Sequence, residues 1–141
     1  MLVATYYRLE LHWSKAEKNS DDYCRLYGAY FSGPVLKHAQ KIQGGDHIRL
    51  DLTPQYTKIL TSYYFVDLSW GGVEYVDDRV VLSDVALKGQ FVNEISNLQD
   101  GDFILIDTSK HEEEKHIFNL VYRGSVRTKD GKEYGDGPKE S

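Results

Sequence analysis

The sequence predicts a mainly β fold of the α+β kind, an open β-barrel of about seven strands with two short helices, and three observations lead there. Aromatic residues are plentiful, with eleven Tyr, five Phe and two Trp against one Met and one Cys, the bias of strands rather than of helical bundles. Apolar and polar residues alternate over several short runs, the period of a half-buried strand. The length of 141 residues suits one domain that buries its core without staples. Residues 1–128 are assigned to that domain and 129–141 to a flexible polar tail.

The elements follow in order. Tyr7, Leu9, Leu11 and Trp13 alternate with Arg8, Glu10 and His12, predicting a first strand. Ser14 to Asp22 is polar apart from Ala16 and reads as an exposed loop. Tyr23 to Phe31 resumes as a strand in which Gly28 marks a bulge. Ser32, Gly33 and Pro34 start a helix, with the proline where its missing N–H costs nothing, and Val35, Ala39 and Ile42 continue it to Gly44-Gly45. Ile48, Leu50 and Leu52 define a third strand. The run from Lys58 to Trp70 reads as a fourth, with Tyr64, Val66, Leu68 and Trp70 on one face. Val73 to Val85 forms one or two short strands around an Asp77-Asp78 turn. Phe91, Val92, Ile95 and Leu98 sit at helical offsets before the Gly101-Asp102 turn, and Phe103 to Ile106 is a central strand. His111 to Lys115 is a charged connection, Ile117 to Arg123 the returning strand, and Asp130-Gly131 the turn of a weak last hairpin.

Composition narrows the function. The single Cys24 allows no intrachain disulfide, and no Cys/His framework for zinc is present. No cofactor is expected, no segment has the length of a membrane span, and the cytoplasm is the default compartment. The net charge of −5 opposes indiscriminate phosphate binding, but it is unevenly spread. Residues 1–70 hold eight Lys or Arg and seven Asp or Glu, whereas residues 71–141 hold nine and fifteen.

Lys15, Ser20-Asp21, Gly28, Phe31, Pro34 and Ala39, followed by Phe91-Val92, Leu98, Gly101-Asp102 and Ile104, stand in an order that resembles B3-type DNA-recognition domains. These are the pseudobarrels of plant transcription factors and of the effector domains of certain restriction enzymes. The resemblance spans roughly Tyr6 to Arg123, and its weight lies in the shared order of motifs that are individually common. It implies sequence-specific binding of double-stranded DNA by two arms gripping the major groove from one rim of the barrel. The first arm would be Ser14 to Asp22 with Arg25, the second Ser69 to Arg79. On this reading Lys15, Lys18 and Arg25 meet phosphates or guanine edges, and Asn19, Ser20 and Tyr75 hydrogen-bond to bases or phosphates. Ser69 belongs to the second arm, Trp70 stacks on a base or sugar, and Arg79 reaches guanine in bidentate fashion. A nuclease domain or subunit, as in a restriction-modification enzyme, is the implied partner. Each residue also has a plainer reading: Lys15 and Lys18 as solvated loop, Trp70 as core, Arg79 as a surface ion pair with Asp77 or Asp78, and Asn19 to Asp22 as turn chemistry.

Enzymatic readings are weaker. Asp67, Glu74 and Asp78 lack the Glu-x-Lys that a metal nuclease would add, and the His12 and His47 tripeptides only half match a two-histidine phosphodiesterase pattern. His111 to His116 reads as a solvated loop and Cys24 as a small buried group. The competing class is a small acidic protein-interaction factor, of immunity or phage anti-defence type, binding a basic nucleic-acid-processing protein.

Overall fold

Strand alternation carries through almost all of the computed structural model, which describes residues 8–20, 22–33, 43–52, 65–89, 92, 101–108, 121–128 and 133–134. Twelve strands lie among the described residues: β1 (Arg8–His12), β2 (Lys15–Ser20), β3 (Tyr23–Tyr27), β4 (Tyr30–Ser32), β5 (His47–Asp51), β6 (Phe65–Ser69), β7 (Gly72–Val76), β8 (Arg79–Ser83), β9 (Val85–Lys88), β10 (Phe103–Asp107), β11 (Val121–Arg127) and β12 (Glu133–Tyr134). They form one open sheet in the order β2-β3-β9-β6-β5-β11-β10-β1-β4-β8-β7, with β12 paired to β11. Among the described residues only β11 and β5 pair in parallel.

The order hides a simpler plan. β1 and β2 lie seven steps apart in the sheet, about 34 Å if it were flat, yet only Trp13 and Ser14 separate them in the chain. The sheet must therefore roll back on itself. Four bent runs accomplish this: β1 into β2, β3 into β4, β6 into β7, and β8 into β9. They neighbour one another in the same sequence on both sides of the bend, as β2-β3-β9-β6 on one side and β1-β4-β8-β7 on the other.

At each bend the alternation slips by one residue. Buried positions run Leu9, Leu11, Trp13 in the first run; Cys24, Leu26, then Ala29, Phe31 in the second; Val66, Leu68, Trp70 in β6 and its end; and Val80, Leu82, then Val85, Leu87 in the last. Two successive residues therefore face away from the core at each bend: Ser14 with Lys15, Tyr27 with Gly28, Gly71 with Gly72, and Ser83 with Asp84. This is the geometry of a bulge, an extra residue that bends its strand, repeated across four neighbours. Gly28 stands at φ +65°, a conformation that favours glycine, and a Cβ there would come 2.2 Å from Ser14 Oγ, so the Ser14 hydroxyl would have to move. Asp84 takes φ 54° at the matching place, a conformation that Asp tolerates better than most residues.

The inward residues of nearly every strand merge into one apolar cluster. Trp70 is central: only 2% exposed, it meets Phe31 edge-on with ring centroids 5.2 Å apart, and its indole N–H donates to the Gln43 carbonyl at 2.9 Å.

Several expectations are revised. Ser14 to Asp22 is not a loop, because Lys15–Ser20 is a strand paired antiparallel with β3; as a sheet edge it only half-buries one face, at Ala16 and Lys18, and so lacks a strong apolar signal. The strand expected from Tyr23 to Phe31 is two strands meeting at Gly28. The returning strand runs to Arg127 rather than Arg123, since Phe103 pairs with Arg127. Glu133–Tyr134 pairs antiparallel with β11, in keeping with the weak last hairpin expected there, whose Asp130-Gly131 turn lies outside the described residues. No α-helix occurs among the described residues. The helix expected around Pro34 to Ile42 lies outside them apart from its start at Ser32 and Gly33, where Ser32 ends β4. Of the second, only Val92 is described, its N–H donating to the Gly89 carbonyl at 3.0 Å. The turn at Asp77–Asp78, the strand through Ile48 and Leu50, and the central placement of β10 agree with expectation.

Candidate nucleic-acid interface

Residues paired across a strand ladder point to the same face, and that rule sorts the candidate residues. On the face away from the core, the two middle runs, β3–β4 and β8–β9, present Tyr23, Arg25, Tyr27, Tyr30, Arg79 and Lys88. Asp84 is the sole carboxylate of their residues 23–32 and 79–88. Lys88 lies opposite Tyr23, with its ammonium 5.6 Å from the ring centroid. Lys15 lies opposite Tyr27 at 5.5 Å, and the Arg79 guanidinium sits 4.3 Å from the centre of the Tyr30 ring. Arg25, exposed, stands between Tyr23 and Tyr27 on the same face of β3, and the nearness of Tyr23 first and Tyr27 second raises its already high pKa.

Exposed cations resting on aromatic faces gain only a little energy each. Their structural effect is order: the long side chains keep defined positions on the sheet. The Tyr27 hydroxyl donates to Glu17 Oε1 at 2.9 Å, fixing the ring beneath Lys15. His12 stacks between Tyr30 and Phe103, at 5.1 and 5.4 Å, with Nε2 2.9 Å from Glu10 Oε1. A depression of about 250 Å³ at the bend is bordered by Arg25, Tyr27, Gly28, Ser83 and Asp84.

The other candidates separate by face. Lys18 pairs with Cys24, a core-facing residue, so Lys18 points to the opposite side from Lys15. Asn19 sits at the register shift between Lys18 and Ser20, and the Ser20 hydroxyl donates to Asp22 Oδ1 at 3.0 Å, closing the hairpin tip. Tyr75 lies opposite the buried Val80 and hence on the face opposite Arg79, though 49% exposed at the sheet edge. Ser69 faces outward beside Ala86 and His47, away from the second arm. Trp70 is buried and cannot stack on a base. The pairing partners Tyr23, Tyr30 and Lys88 escaped sequence reasoning because their neighbours are set by cross-strand register. The alternation of Tyr23, Arg25 and Tyr27 with Cys24 and Leu26 was a usable signal.

The two arms do not share a rim. Tyr23, at one hairpin tip, pairs with Lys88, whereas Val76, at the other, pairs with Arg79. The tips therefore occupy opposite ends of the single β8–β9 run, nine residues apart (79 to 88), or at most about 30 Å.

Asp67 engages Arg49 by two hydrogen bonds, 2.8 and 3.3 Å long. No group of three His, Cys, Asp or Glu suited to a metal occurs among the described residues, and no helix among them is long and apolar enough to cross a membrane. No family model, curated protein or solved structure matches the chain.

Proposed function

We propose that this protein is a double-stranded DNA-binding module of B3-like, open-barrel type, and that its contact surface is the outward face of the bent runs β3–β4 and β8–β9. The observation that carries this reading is the stripe of Arg25, Arg79 and Lys88, with Arg79 over Tyr30 and Lys88 over Tyr23, on two runs whose sole carboxylate is Asp84, although Glu17 and Asp67 lie opposite Arg25 and Lys88 on the neighbouring strands, in a chain of net charge −5. Joining each bent pair leaves eight continuous runs among the described residues, one more than the seven strands expected of that pseudobarrel, the extra one being the two-residue β12. Cations serve phosphates, and Arg25 and Arg79 have the bidentate geometry that guanine edges accept. Sequence specificity, and coupling to a separate nuclease, belong to the same proposal.

Fluorescence anisotropy with random-sequence duplex DNA at several salt concentrations tests it. The wild type should bind with affinity falling steeply as salt rises. Arg25→Ala and Lys88→Ala should each weaken binding and flatten the slope of log K against log salt by about 0.9 if each removes one phosphate contact. An absence of binding at 50 mM salt would overturn the reading. The rival reading, an acidic protein-interaction factor, is favoured by the net charge and by the exposed Tyr75 and Val76 on edge strand β7, and it predicts that result.

A further inference from the structure

Beyond the stripe, the outward face continues into a groove of about 550 Å³ over β9, β6, β5 and β11, lined by His47, Arg49, Asp67, Ser69, Lys88 and Val121. Register explains the trough. One row across the sheet reads Tyr23, Lys88, Asp67, Arg49, and the adjacent row reads Arg25, Ala86, Ser69, His47. Small side chains at Ala86 and Ser69 lie between longer ones, leaving a channel that begins at the stripe. Lys88 belongs to both features.

Arg49 is positioned for an anion. Asp67 takes two of its N–H donors, and a guanidinium has five. The pair is about half exposed on each side, where ion pairs contribute little to stability. Asp67, through its hydrogen bonds first and its charge second, raises the pKa of Arg49, so the guanidinium stays charged. From β3 to β5 the row spans three strand steps, about 14 Å, the axial rise of about four nucleotides of one strand.

We infer that this groove is a second phosphate-binding site, in which Arg49 and Lys88 hold a phosphodiester of the same nucleic acid that lies on the Tyr23–Arg25 stripe. The inference rests on the proposed function and extends its footprint across the sheet, away from both hairpin tips. Asp67 then acts as a brake: it orders Arg49 but offsets its charge.

The test uses the intact chain and three forms: wild type, Asp67→Asn, and the double variant Arg49→Gln with Asp67→Asn. The double variant leaves the summed charge of the pair at zero, so a change in its affinity reports lost contacts and not altered long-range field. In duplex anisotropy, Asp67→Asn should bind about 2- to 5-fold tighter, and the double variant about 5- to 10-fold weaker than wild type with a salt slope flatter by about 0.9. Thermal melts confirm that both variants fold. A double variant with wild-type affinity and slope would overturn the inference and leave the proposed function standing. Titration of inorganic phosphate, followed by the Arg49 Nε–H resonance, separates the sources. If the wild type ignores duplex DNA while that resonance shifts, the groove is an anion site and the nucleic-acid assignment falls; if neither responds, both fall.

Discussion

Replacing Gly28 by Ala tests the bend that shapes the contact surface, and its cost can be worked from two separate causes. The residue sits at φ +65°, where a side chain costs about 1–2 kcal/mol. The new Cβ would also stand 2.2 Å from Ser14 Oγ and 3.2 Å from Ser14 Cβ. That hydroxyl can turn away, but it would give up its bond to the Tyr27 carbonyl, now 3.2 Å long, at about 0.5–1.5 kcal/mol. The sum is about 1.5–3.5 kcal/mol, a fall of roughly 1–2 M in a urea midpoint at a slope near 2 kcal/mol/M. Ser14→Gly removes the collision and leaves the backbone term, so Gly28→Ala made in that background should cost only about 1–2 kcal/mol. The double-mutant cycle should return a coupling of about 1 kcal/mol. A Gly28→Ala protein within 0.5 kcal/mol of wild type, or a coupling of zero, would refute the account of the bend.

Two further predictions concern the core. Trp70→Ala should destabilise by about 3–5 kcal/mol. Trp70→Phe, which loses the indole bond to the Gln43 carbonyl, should cost less and leave duplex affinity unchanged per folded molecule; a selective loss of affinity would return Trp70 to the interface. For Cys24, burial pushes the thiol above its ordinary value of 9.0, outweighing the backbone hydrogen bond at Glu17 and the nearby Lys18 charge. Folded protein should therefore resist iodoacetamide at pH 8 and react once unfolded in urea. Because the folded state disfavours the thiolate, this contribution to stability is complete below the unfolded value and declines as pH rises through the folded one. Rapid alkylation without unfolding would contradict it.

The limits of sequence reasoning have physical causes. Strands with one buried face, such as that of Ile48 and Leu50, announce themselves by alternation, and β10 does so by a continuous apolar run because both its faces are covered at Ile104, Leu105 and Ile106. Edge strand β2 half-buries a single apolar residue, Ala16, on its core side, so its polar residues read as a loop. The bends were harder still. A slip of one residue, as from Leu82 to Val85, looks like the end of a strand, and only its recurrence in four neighbours reveals a shared fold line. Residue type pointed to Lys15, Arg25 and Arg79 as candidates, and the register places all three on the outward face. Facing direction was not legible: Lys15 and Lys18, three positions apart in a strand, point to opposite sides, a consequence invisible while the segment was read as a loop.

That opposition supplies the most direct measurement. Lys15→Ala and Lys18→Ala remove the same charge from the same edge strand, one from the outward face and one from the core side. Measured by anisotropy on one duplex at fixed salt, Lys15→Ala should weaken binding several-fold and flatten the salt dependence, while Lys18→Ala stays within about 2-fold of wild type. Equal losses from both, or a larger loss from Lys18→Ala, would contradict the assignment of the outward face.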